Sequence, residues 1–101
     1  MTSRPRRPIM ALFDVIGQRW TLRIMWELHS HAPLTFRELQ QRCGGLSSSV
    51  LSGRLDVLRE VRLATATPAG YQLTGQGESL TTHLLPLSRW SEQWVAELDA
   101  G

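Results

Sequence analysis

Ile9, Leu12, Phe13 and Ile16 recur at three- and four-residue intervals, which lays one apolar stripe along a first helix. Pro8 suits the first position of that helix, where a missing N–H leaves no hydrogen bond unmade. Gly17 is expected to end the helix in the left-handed conformation. A second helix is predicted from about Trp20 to Ser30, with Trp20, Ile24 and Leu28 on one stripe that Leu22, Met25 and Trp26 widen. So much apolar surface on about three turns predicts a helix buried on most sides. Pro33 stops it.

Thr35 and Glu38 then stand as T-x-x-E, the spacing at which two side chains cap each other's backbone N–H groups at a helix start. Leu34 before the cap and Leu39 after it form the matching hydrophobic staple, and Phe36 and Leu39 are expected to point inward. This third helix ends near Cys43, where Gly44-Gly45 breaks the chain. Ser47 caps a fourth helix with Leu51, Leu55 and Leu58 as its buried stripe and a Leu46–Leu51 staple. Its opposite face carries Ser48, Ser49, Ser52, Gly53 and Asp56, all small or polar. Two short helices joined by a tight glycine turn, the second with a small polar outer face, make a helix-turn-helix over residues 35–59.

Beyond it the period changes. Leu63–Thr67 and Tyr71–Thr74 are β-prone and flank Pro68-Ala69-Gly70, the composition of a tight hairpin turn. A hairpin over 63–74 directly after a helix-turn-helix is a short wing. Gly75 and Gly77 are read as resetting the chain before a last helix over 78–98, whose stripe is Leu80, Leu84, Leu87, Trp90, Trp94 and Leu98. Pro86 is expected to kink that helix. The fold class predicted is α+β, mostly α: a winged helix-turn-helix over 8–101, ending in a long dimerisation helix and preceded by a disordered basic arm at 1–7.

Composition narrows the function. The chain has 101 residues, 42% hydrophobic and 20% charged, which suits one globular domain and one modest core. No apolar run reaches the ~18 residues of a membrane span, and no apolar segment follows the basic start as in a signal peptide. A cytoplasmic protein with no membrane partner is expected. The formal net charge is only +2, yet all but one of the eleven basic residues, every one an arginine, lie within residues 1–62. Residues 63–101 hold Arg89 against Glu78, Glu92, Glu97 and Asp99. A basic front and an acidic rear suit a protein that turns one side to a polyanion.

The order of elements, with the strings IGQRWTLRIMWEL (16–28), TFRELQQRCGGLSSSVLSGRLDVL (35–58), YQLTGQG (71–77) and LLPLSRW (84–90), resembles the HxlR family of winged-helix regulators, relatives of MarR-type repressors. The similarity spans about residues 8–98. It implies an obligate homodimer in which the first and last helices of two subunits pack together, through Ile9, Leu12 and Phe13 on the first. It also implies that the fourth helix enters a DNA major groove while the wing touches backbone or minor groove. The chain departs from the family pattern in three places. Arg7 stands before Pro8 where the family usually has cysteine, so thiol sensing at that position is not supported. Arg62 stands where a glycine follows the recognition helix, and the wing is short and carries no arginine.

A recognition helix must bring its backbone close to base edges. Ser48, Ser49 and Ser52 can donate or accept there, and Gly53 permits close approach. Arg54, at the edge of that face, is a candidate for bidentate contact with guanine. Arg37, Thr35 and Arg19 are candidates for phosphate contacts, which position without reading sequence. Leu84, Leu87, Trp90, Trp94 and Leu98 are read as a dimer core in preference to an effector pocket, because a lone amphipathic helix with two tryptophans would expose a sizeable apolar patch. His29, His31 and His83 lack a metal-binding spacing. Cys43 is read as a small core residue, and its being the sole cysteine excludes an internal disulfide. No nucleophile elbow, phosphate loop or dinucleotide fingerprint is present. The expected function is therefore a non-enzymatic transcription regulator without cofactor, a repressor acting on double-stranded DNA, with room for a small-molecule effector. The competing readings are a winged-helix protein-interaction module and a hydrophobic-ligand sensor with a pocket at the dimer interface.

Overall fold

The computed structural model describes residues 7–101, so the disordered arm expected at 1–7 lies, but for Arg7, outside the described residues. Five helices and one hairpin follow in the order α1 (Pro8–Ile16), α2 (Thr21–His31), α3 (Phe36–Arg42), α4 (Ser48–Glu60), β1 (Ala64–Thr67), β2 (Gly70–Leu73) and α5 (Gly75–Ala100). This is the mostly helical winged helix-turn-helix that the hydrophobic periods predict.

Local chemistry sets the start of the helix-turn-helix. At α3 the capping box is complete: Glu38 N–H donates to Thr35 Oγ1 at 3.1 Å and Thr35 N–H donates to Glu38 Oε1 at 2.9 Å. Ser47 Oγ accepts from Val50 N–H to cap α4. Both helices end in one motif. Gly44 and Gly45 donate to the carbonyls of Gln41 and Gln40, and Arg62 and Leu63 donate to those of Arg59 and Leu58, each a double closure around a left-handed residue. After α3 that residue is Gly44 (φ 77°); after α4 it is Arg62 (φ 66°). The arginine thus keeps the conformation a glycine would adopt there.

Two of the expected element ends differ. Gly17 is right-handed (φ −76°), and the positive φ falls on Trp20 (φ 81°). The chain does not reverse at the end of α1; it makes one further turn, closed by Thr21 N–H to the Gln18 carbonyl. The left-handed residue is the one whose indole packs against the core. Likewise Gly75 and Gly77 do not precede the last helix but form its first turn, with Thr74 as cap through Gly77 N–H to Thr74 Oγ1. Gly77 is required by closeness: a Cβ there would sit 2.1 Å from the Leu63 carbonyl oxygen. The helix then continues unbroken past Pro86.

The core lies where α2, α3, α4 and the hairpin meet, with Ile24, Met25, Leu28, Leu39, Leu51 and Leu58 wholly buried. Leu22 instead faces outward, so α2 is buried on fewer sides than its composition predicts. β1 and β2 pair antiparallel, Ala64 with Leu73 through Thr67 with Gly70. Leu34 adds a one-residue third strand, exchanging both backbone hydrogen bonds with Tyr71 at 3.0 and 2.7 Å. The wing is thereby anchored to the chain entering α3.

α5 joins this core only through its first turns. Leu80 packs against it, Thr81 is buried, and Glu78 Oε1 meets His29 Nδ1 of α2 at 2.9 Å. No residue of α5 beyond Thr81 is buried, and none of α1 is.

Candidate nucleic-acid interface

α4 presents two faces of opposite character. Leu51, Leu55 and Leu58 hold it to the core, while Ser48, Ser49, Ser52 and Asp56 are exposed. A Cβ placed on Gly53 meets no atom within 4 Å, so no packing inside the chain explains a glycine in the middle of this helix. The face is exposed and rich in hydroxyl groups.

Contacts from neighbouring elements fix the face in place. Gln40 of α3 reaches across the turn and donates to the Leu46 carbonyl at 2.8 Å and to Ser48 Oγ at 3.3 Å. Ser48 is thus held from α3, whereas Ser49 and Ser52 point outward without such a hook. On the other side Arg54 Nε donates to the Arg19 carbonyl at 2.7 Å. Arg19, next to the left-handed Trp20, lays its guanidinium 5.6 Å above the Trp20 ring centre. Thr35 Oγ1 is occupied by the helix cap, and Arg37 is exposed on the first turn of α3. The predicted residues therefore divide into an outward face on α4 (Ser49, Ser52, Gly53), flanking groups at the start of α3 (Thr35, Arg37), and an Arg19–Arg54 corner.

Sequence reasoning missed the contacts that hold α2 to the helix-turn-helix. Arg23 Nε meets Glu27 Oε2 at 2.9 Å, and its Nη2 donates to the Arg42 carbonyl at 2.7 Å, closing the C-terminus of α3. The Arg23–Glu27 spacing is a visible i,i+4 signal; the reach to Arg42, like those of Gln40 and His29, leaves no local trace. Cys43 lies beneath this cluster, buried, and burial raises its thiol pKa. The neighbouring Arg23 charge opposes that rise and Glu27 adds to it.

A second surface has the opposite chemistry. Leu87, Trp90 and Leu98 of α5 are 56%, 59% and 61% exposed, and Trp94 and Val95 lie with them. Trp90 and Trp94 stack on each other with ring centres 5.6 Å apart. Ile9 and Phe13 of α1 are also exposed, while Leu12 and Leu84 are half-buried. Between α2 and the middle of α5 runs an open groove of about 430 Å³ lined by Leu22, Trp26, Leu84, Leu87, Ser88 and Ser91.

The model of the HxlR-like helix-turn-helix family matches residues 15–99, from the end of α1 almost to the end of α5. The chain belongs to that family. The HTH-type transcriptional regulator YvaP of Bacillus subtilis is 30% identical over 89 residues, covering 81% of this chain and 82% of YvaP. Among solved structures, quinone-bound YodB from B. subtilis superposes with a TM-score of 0.76 at 25% identity, covering 84% of this chain and 96% of YodB. A possible HxlR family transcriptional factor from Thermoplasma volcanium shares the fold with a TM-score of 0.73, covering 95% and 88% of the two chains, at 23% identity. The chain is thus one of a family of DNA-binding transcriptional regulators. Among the described residues no helix is long and apolar enough to cross a membrane.

Proposed function

We propose that this HxlR-like protein is a homodimeric repressor that docks α4 in successive major grooves of a short pseudo-palindromic operator, near its own gene. The observation that carries the reading is the outer face of α4, where three serines surround a glycine that the fold itself does not need. Ser48, Ser49 and Ser52 meet base edges or phosphates, and Gly53 lets the helix backbone approach. Arg37, Thr35 and Arg19 flank that face and hold phosphates. The wing contributes little: its tip is Pro68-Ala69, and Thr67 Oγ1 is turned inward onto the Gly70 carbonyl.

In the dimer, Ile9, Leu12 and Phe13 of α1 and Leu84, Leu87, Trp90, Trp94 and Leu98 of α5 cover each other across a two-fold axis, giving half-sites ~10 bp apart. The groove beside Trp26 lies next to this interface, and its largely apolar lining suits a hydrophobic effector; YodB, for comparison, is a quinone-bound relative in fold. Such a ligand would relieve repression by changing the spacing of the two recognition helices. The protein acts in the cytoplasm and needs no cofactor.

The test is fluorescence anisotropy with the protein's own upstream DNA at low and physiological salt. Selective binding that weakens steeply with salt is the expected result. A folded dimer that binds that DNA at neither salt overturns autoregulation. Binding of another protein through the tryptophan face, unaffected by salt, supports an interaction module instead.

A further inference from the structure

Arg54 lies on the recognition helix, yet its Nε–H points back into the protein, onto the main-chain carbonyl of Arg19 at 2.7 Å. That carbonyl belongs to the corner between α1 and α2. The corner is short and tightly determined. Gly17 N–H donates to the Phe13 carbonyl and Gln18 N–H to that of Val15, Thr21 N–H returns to Gln18, and Ile24 N–H takes the Trp20 carbonyl. Trp20 is left-handed at φ 81°, a conformation rare for a bulky side chain and sustained only where the surroundings over-determine it. Its indole packs against the core, and the Arg19 guanidinium lies over its ring. The Arg19 carbonyl is therefore a rigidly aimed acceptor, and Arg54 spans thirty-five residues of sequence to reach it.

We propose that Arg54 is a positioning residue: by latching α4 to the α1–α2 corner it sets the angle at which the serine face meets DNA, in place of reading a base. This rests on the DNA-binding reading above. It also gives α1, none of whose residues is fully buried within its own subunit, a mechanical route to α4. A shift of α1 at the dimer interface moves the corner, and the corner carries the latch.

The chemistry of the side chain supplies a discriminating variant. In Arg54→Gln, the amide nitrogen stands the same number of bonds from Cα as the arginine Nε, so a single N–H donor to the Arg19 carbonyl is kept. The charged fork that guanine recognition requires is lost. Arg54→Ala removes both. Arg59→Gln, on an exposed position of the same helix, controls for the loss of one positive charge.

Wild type and the three variants are each used to select from a randomised-duplex library, and the recovered duplexes are titrated by anisotropy, with thermal melts showing that each variant is folded. The latch predicts that R54Q keeps the wild-type consensus and binds within about threefold of R59Q. R54A then loses about tenfold relative to R54Q across all recovered duplexes, with the preferred bases unchanged. Amide hydrogen exchange at residues 17–21 is expected to quicken in R54A and not in R54Q, independently of DNA. If R54Q and R54A alike lose preference at one base pair, and exchange at the corner is unaltered, Arg54 reads a base and the latch is wrong. If the wild type selects no duplex, the DNA-binding reading fails first and takes with it the surface that Arg54 positions.

Discussion

Gly53→Ala separates what the fold needs from what the ligand needs. Gly53 is the sixth residue of the thirteen in α4, well inside the helix. An interior glycine costs about 0.5–1 kcal/mol relative to alanine, mostly through the backbone freedom it surrenders on folding. That loss is recovered by alanine only if the added methyl meets nothing, and here no heavy atom lies within 4 Å of the Cβ position. The variant is therefore expected to be more stable by about 0.5–1 kcal/mol, a rise of roughly 2–8 °C in Tm for a domain of this size. Thermal melts followed by far-UV circular dichroism, at matched protein concentration, measure it.

The same methyl lies on the face proposed to enter the major groove, where it would hold the helix away from base edges. A lift that removes one good base contact is worth ~1–3 kcal/mol, so affinity for the selected operator should fall by about 5- to 150-fold. A more stable protein that binds more weakly is a stability–function trade-off confined to one atom. Reduced stability would show that the fold does require a glycine at 53. Raised stability with unchanged operator affinity and selectivity would show that this face of α4 does not meet DNA.

Three further outcomes follow from the same geometry. Arg62→Gly should stabilise the protein by about 1 kcal/mol in a urea titration, because Arg62 holds φ 66° at a site where glycine escapes the Cβ–carbonyl clash and the closing hydrogen bonds are all main-chain. Trp94→Ala should raise the dimer dissociation constant at least about a hundredfold in sedimentation, since a symmetric interface loses two indoles at ~1.5–3 kcal/mol each; unchanged self-association would remove the tryptophan face from the interface. Cys43 should resist thiol reagents in the folded protein at neutral pH, because burial disfavours its thiolate. With the folded pKa raised above the ordinary 9.0, its contribution to stability is intact below that value and is lost as pH rises from there through the folded pKa, which denaturant titrations in alkaline buffers can follow.

The parts of this fold legible in the sequence are those decided by residues a few positions apart. The Thr35–Glu38 box, the Ser47 cap and the leucine stripe of α4 depend on spacing alone, so reading the chain locates them. The misplaced ends have non-local causes. A glycine at 17 suggests a left-handed helix stop, but the tertiary position of the Trp20 indole puts the turn, and the positive φ, three residues later. Gly75 and Gly77 suggest a break because glycine is a poor helix former; but Thr74 caps the helix ahead of them, and residue 77 is glycine because a neighbouring carbonyl leaves room for nothing larger. At the candidate site the serines were visible, and the hooks that orient them were not. Gln40 to Leu46 and Arg54 to Arg19 join a side chain to a main-chain carbonyl, and any residue type can supply a carbonyl. Nothing in the sequence distinguishes an arginine aimed at one from an arginine aimed at a base.

Burial also differs sharply along the chain, and this bears on how the regulator would work. The elements that carry the proposed DNA face share one close core, whereas α1 and the distal two-thirds of α5 contribute little to it. In the homodimer proposed here those two helices acquire their buried surface from a second copy, so the position of the interface is set by contacts the monomer lacks. α5 is tied to the winged-helix core through Glu78–His29 and the Thr74 hydroxyl on the Arg62 carbonyl, and α1 through Val15 and the Trp20 corner. An effector lodged beside Trp26 would press on α5 a few turns beyond the first tie. It would not need to distort the winged helix: tilting α5 about its anchored N-terminus is enough to change the distance between two rigid recognition helices. Such a mechanism predicts that ligand alters tolerance to half-site spacing while leaving the preferred bases of each half-site as they were.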